Sequence, residues 1–143
     1  MNIWVNGCFD ILHAGHIDLL WFAKLYGVEG LGYHEAIKVN TLYVGLDSDE
    51  RVKQLKGPDR PINDIETRIK IISNLRMVTE AVIFYDDEDL RYFIKAFNID
   101  YIIVGDQYKN KEVIGVENAK YGVVYYPVDE RSTTNIIKKI KQL

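Results

Sequence analysis

Five short apolar runs, each closed by a turn-forming residue, leave this chain few folds to choose from. They are Asn2–Val5, Thr41–Leu46, Ala81–Tyr85, Tyr101–Val104 and Val123–Tyr126. Asn6-Gly7, Asp47-Ser48, Asp86, Gly105-Asp106 and Pro127 follow them in turn, as strand ends require. Stretches with helical spacing lie between the runs: His16–Leu25, a short helix capped by Ser48 and running through Val52, Ile65–Leu75 behind Asn63 or Asp64, Asp87–Phe97, and a brief Val116–Tyr121. A last helix, Asn135–Ile140, starts at Ser132 or Thr133. Val28–Asn40, with Gly30 and Gly32, is expected to be a long loop. Strands that alternate with helices imply a parallel sheet with right-handed crossovers. Runs that are apolar on both sides demand cover on both faces. The expectation is one α/β domain over residues 1–143: a small doubly wound, Rossmann-like parallel sheet of about five strands with helices on both faces.

Composition narrows the function. With 18 Lys+Arg against 21 Asp+Glu the formal net charge is −3, which argues against a nucleic-acid partner. Cys8 is the single cysteine, so no disulfide framework exists. No apolar run reaches the 18 residues of a membrane span and no signal-peptide pattern opens the chain. A cytoplasmic protein without membrane contact is expected.

Sheets of this kind take ligands beyond the carboxyl ends of their strands. That rule selects Asn6–His16, Asp47–Pro61, Gly105–Lys111 and Asp129–Thr134, where the polar, basic and glycine residues also gather. In the first segment His13-Ala14-Gly15-His16 opens a helix, whose free N–H groups and dipole favour an anion. Two histidines there could donate to phosphate oxygens, and Gly15 removes a side chain where a phosphate would press on the backbone. A plainer reading is one capping and one core histidine. A zinc site is disfavoured, because no further His or Cys ligand stands nearby. The second segment adds Lys53, Lys56, Arg60 and, in the next helix, Arg68, cations that could equally form a solvated face. Asp106 in the third could be an ordinary turn aspartate. Arg131-Ser132-Thr133-Thr134 could hold phosphate or simply cap a helix. No Walker A sequence is present. The residues together favour a nucleotide-handling enzyme without fixing its reaction.

Gly7–His16, with its His13-Ala14-Gly15-His16 core, and Ser132-Thr133-Thr134 near the far end resemble the signatures of the cytidylyltransferase-like nucleotidyltransferases. The likeness runs over nearly the whole chain. Lys53-Gln54-Leu55-Lys56-Gly57-Pro58-Asp59-Arg60-Pro61-Ile62-Asn63 makes it most similar to the adenylyltransferase domains of ADP-heptose synthases, which activate heptose 1-phosphate. Glycerol-3-phosphate cytidylyltransferases share the His and Ser-Thr-Thr elements but not that loop. The resemblance implies that a substrate phosphate attacks the α-phosphorus of ATP, or of CTP in the alternative, and that pyrophosphate leaves. A non-catalytic nucleotide-binding module is the remaining possibility.

Carried over, His13 and His16 would stabilise the transition state and Lys53 or Lys56 would close over the phosphates. Arg68 would stand at the phosphate site, and Asp106 on the loop that contacts the nucleoside. Arg131, Ser132, Thr133 and Thr134 would bind the β- and γ-phosphates, while Asn6, Gly7, Cys8, Phe9 and Gly15 would line the nucleotide pocket. Mg²⁺ is implied with the triphosphate, a phosphorylated sugar or alcohol as acceptor, and a homodimer. The chain departs from the pattern twice: Val28–Asn40 is long for its place, and Asp129-Glu130-Arg131 lacks the glycine expected before Ser-Thr-Thr. These residues hold no counterpart of the sugar kinase domain fused to many relatives, so the acceptor's phosphate is expected from a separate reaction.

Overall fold

A computed structural model describes residues 1–143. The five apolar runs become β1 (Asn2–Gly7), β2 (Thr41–Asp47), β3 (Glu80–Phe84), β4 (Tyr101–Gly105) and β5 (Gly122–Tyr126). All pair in parallel, in the order β3-β2-β1-β4-β5. The strand order therefore reverses between β1 and β4, which opens a crevice beyond Gly7 and Gly105.

Alternation along each strand feeds two cores. Ile3, Val5, Leu42, Val44, Leu46 and Ile103 point to one face, where Leu20 and Ala23 of α1 (Ala14–Lys24) and Ile72 of α4 (Ile65–Ser73) cover them. Trp4, Phe84 and Ile102 point to the other, under Leu90 and Ile94 of α5 (Asp87–Ala96). The indole of Trp4 is fully buried, and it fits because it lies over Gly45 of β2, where a Cβ would overlap the ring. Helices thus cover both faces, as double-sided apolar strands require.

Val28–Asn40 differs from expectation. It contains a seven-residue helix, α2 (Tyr33–Val39), which packs Tyr33 against Trp21 at 5.8 Å and takes a hydrogen bond from Arg76 on the Tyr33 hydroxyl. The glycines that suggested a loop occupy only its entry, with Gly30 at φ 73 and Gly32 at the N-cap. The Ser48-capped helix is longer than expected and forms α3 (Asp49–Lys56). Val116–Tyr121 yields only a 3₁₀ turn at Val116–Asn118. Asp64 caps α4, and Ser132 caps the last helix, α6 (Thr133–Lys141). No helix is long and apolar enough to cross a membrane.

Candidate active site

The four segments selected by strand polarity meet in one cleft of about 660 Å³ at the carboxyl edge of the sheet. That volume lies in the ordinary range for small-molecule sites. Its floor is the β1–α1 turn. Phe9 takes a left-handed conformation there (φ 48), unusual for an aromatic residue, and stands its ring 5.3 Å from that of His16.

The start of α1 is built by its two histidines. His13 is the N-cap, and its Nδ1 accepts from the Gly15 N–H at 3.1 Å. His16 reaches back so that its Nδ1 accepts from the His13 N–H at 3.2 Å. The pair reproduces a capping box with imidazoles in place of the usual hydroxyl and carboxylate. Both Nδ1 atoms are therefore acceptors, which leaves the protons of the neutral rings on Nε2. Neutrality is enforced: burial and the neighbouring His13 press His16 down to about 4, and burial with the Arg131 charge lowers His13 against the opposing pull of Asp129. The ring centroids lie 3.8 Å apart. Gly15 serves this arrangement directly, since a Cβ there would press on the His13 ring at 2.9 Å.

The second wall is α6. The Ser132 hydroxyl accepts from Asn135 N–H at 3.0 Å, and the Thr133 hydroxyl donates to the Ile11 carbonyl at 2.9 Å, tying α6 to the β1–α1 turn. The first N–H groups of the helix stay available to an anion. Arg131 bridges the two helix starts. Its guanidinium donates to Asp129 and, at 2.8 Å, to Asp18 of α1, and these carboxylates raise its pKa further.

Asp10 holds the loop between α3 and α4 in place. Its buried carboxylate accepts from Arg60 Nε at 2.8 Å, from Ile62 N–H at 2.9 Å and from Asn63 N–H at 2.8 Å. Burial alone would raise its pKa. The two backbone donors and Arg60 outweigh burial and hold it below the ordinary carboxylate range. Asp47, by contrast, is raised by burial although Arg51 sits 2.7 Å away, and the Cys8 thiol beside it is pushed up to about 11 by burial and by Asp47. Cys8 is thus a protonated wall group, not a nucleophile.

Asn6, Gly7, Cys8, Phe9, His13, Gly15, His16, Lys56, Arg131, Ser132, Thr133 and Thr134 all line the cleft. Lys53, Arg68 and Asp106 do not. Lys53 is exposed one turn back along α3. Asp106 turns its carboxylate toward the Val128 N–H at 3.3 Å. Arg68 is only 1 % exposed and spends its guanidinium on the Cys8, Asp47 and Asn63 carbonyls and on Asp49. It braces the wall from behind. Asp10, Gln107, Tyr108 and Lys111 line the cleft without having been singled out by sequence. Three of them follow Gly105, so strand polarity selected their segment but no local pattern marked the individual side chains.

The family described as Cytidylyltransferase-like matches residues 4–139. The chain is 41 % identical over 139 residues to the bifunctional protein HldE of Campylobacter fetus, covering 97 % of this chain and 28 % of that protein. It is 39 % identical over 140 residues to the bifunctional protein HldE of Helicobacter hepaticus, covering 98 % and 26 %. It thus spans about a quarter of the length of these curated relatives. Among solved structures it is similar to a lipopolysaccharide core biosynthesis protein of Thermoplasma volcanium, with a TM-score of 0.66 at 24 % identity over 91 % of this chain and 98 % of that one. An Archaeoglobus fulgidus protein of unknown function gives 0.63 at 17 % identity, covering 93 % and 94 %.

Proposed function

The chain belongs to the cytidylyltransferase-like family, and from that membership we propose that it is a nucleotidyltransferase that moves AMP from ATP to a sugar 1-phosphate, heptose 1-phosphate, with release of pyrophosphate. The observation that carries the reading is the double-histidine cap. Two neutral imidazoles held by their Nδ1 atoms present Nε2–H donors beside two helix starts. Donors fixed before the substrate arrives need no reorganisation as charge develops on the α-phosphoryl oxygens. The choice of ATP and a heptose phosphate rests on the HldE relatives and on the Lys56–Pro61 loop.

In this mechanism an oxygen of the acceptor phosphate forms a bond to the α-phosphorus as the bond from that phosphorus to the bridging oxygen breaks. The electron pair leaves with pyrophosphate. His13 and His16 stabilise the charge at the reacting centre. The N–H groups at the start of α6 and Arg131 receive the outer phosphates. Lys56 closes over them, a role supported by its position on the cleft wall, which Lys53 does not share. Alignment and charge stabilisation suffice, so no protein nucleophile is required. Mg²⁺ would arrive with the triphosphate and neutralise charge on its oxygens. No group of three or more His, Cys, Asp or Glu side chains that could hold a metal ion is present. A homodimer goes with this reading on the resemblance alone, and a cytoplasmic setting goes with it as the sequence expectation.

CTP with an alcohol phosphate is the second reading, favoured by the family description itself. Pyrophosphate release with Mg²⁺, crossing ATP and CTP with heptose 1-phosphate and glycerol 3-phosphate, separates the two. Turnover confined to ATP with heptose 1-phosphate is the expected result. Turnover with CTP alone would reverse the choice of base. No release and no nucleotide binding would leave only the fold.

A further inference from the structure

Beside the cleft, a second hollow of about 550 Å³ runs between the α3–α4 loop and the exposed side of α6. Lys56, Arg60 and Thr134 border both spaces, so the two adjoin. Lys138 and Lys141 follow Thr134 along one side of α6, and from Thr134 to Lys141 the helix rises about 10 Å. A phosphate bound at the start of α6 is therefore a separate group from one bound at Lys141. Four cations border the hollow against a single acid, Asp59.

Three of the four cations have no carboxylate partner within the protein. Lys56, Lys138 and Lys141 take part in no ion pair. Arg60 is held through its Nε by buried Asp10, and its two terminal nitrogens make no hydrogen bond within the protein. A guanidinium oriented from behind with its fork open is set up for an oxyanion. Lysines at the end of a helix also suit its dipole. That accounts equally for Lys139, which lies outside the hollow, and so does not explain why the others converge on Arg60.

We propose that this hollow is a second phosphoanion site, separate from the one that holds the reacting triphosphate. The pyrophosphate that the transfer releases fits its chemistry, whereas the acceptor's phosphate must lie in contact with the α-phosphorus and belongs to the cleft. The choice of source rests on the transfer reading above, whereas the site itself rests on charge and placement.

Calorimetry tests it. Inorganic pyrophosphate and heptose 1-phosphate are titrated separately into the protein, with the cleft first filled by α,β-methylene-ATP and Mg²⁺. The wild type is compared with K138Q/K141Q and with K139Q, which removes a charge from the same helix outside the hollow. Loss of two exposed lysine–phosphate pairs is expected to weaken the bound anion about tenfold, with K139Q changing it less than twofold. Weakened pyrophosphate assigns the site to the leaving group. Weakened heptose 1-phosphate with pyrophosphate unchanged would overturn that assignment. If neither weakens, or if K139Q matches the double variant, the proposal is wrong. Failure of the analogue to bind would count against the nucleotide reading instead, and the difference in pyrophosphate affinity between wild type and K138Q/K141Q in the empty protein would still report on the hollow.

Discussion

His16 links the chemistry of the site to the stability of the chain. Its folded-state pKa of about 4 lies below the ordinary 6.5 because the ring is buried beside His13. Between those values the unfolded chain binds the proton and the native one does not, so native stability falls as pH drops through that window. Acidification from pH 7 to pH 5 should remove about 2 kcal/mol through this ring alone. Urea titrations at the two pH values should show that loss in the wild type and a smaller one in His16→Gln. At pH 7 the same variant should stay folded and lose roughly 10²- to 10³-fold in kcat, the usual cost of one transition-state donor. An unchanged kcat would remove the ring from the reacting centre. Gly15 leaves room for the ring of His13.

Among the elements, the loops at the strand ends are joined by buried polar side chains rather than by apolar packing. Arg68 on α4 donates to the carbonyl just after β1, to the last carbonyl of β2 and to one that precedes α4 itself, and adds an ion pair to Asp49 on α3 at 2.7 Å. Arg68→Met should strand three carbonyl oxygens and lower stability by roughly 3 kcal/mol. The check is a lower urea midpoint at unchanged m-value, with little recovery in Arg68→Lys, whose single ammonium cannot span the same partners. Normal stability with lost nucleotide binding would support the phosphate role that the resemblance implies. The strands and the helix starts could be read from sequence because their signals are local: apolar runs, turn residues, and capping side chains at Ser48, Asp64 and Ser132. The role of Asp10 could not, since its partners at Arg60, Ile62 and Asn63 lie fifty residues on. Lys53 and Lys56 could not be ranked either, because that depends on the rotation of α3. The seven residues of α2 were hidden by the glycines that precede them.

At the scale of the molecule, a net charge of −3 coexists with an edge that gathers cations around one cleft. A ligand that binds only the native state adds RT ln(1 + [L]/Kd) to stability, about 2.7 kcal/mol at a hundredfold excess over Kd. For a chain of this size MgATP should then raise Tm by roughly 10 °C. Thermal melts with ATP, CTP and no nucleotide measure it, and equal shifts for both nucleotides would place discrimination in the chemical step rather than in binding. The same polarity has a consequence at the opposite edge. α1 begins at the histidines and ends about 16 Å away, next to the stretch that carries α2. Leu31 in that stretch is half exposed and lies on the side of the sheet where the strands begin. A fluorophore or an inserted peptide attached there would travel with the rigid scaffold while standing clear of every reacting group, a vantage point from which turnover could be watched without being disturbed.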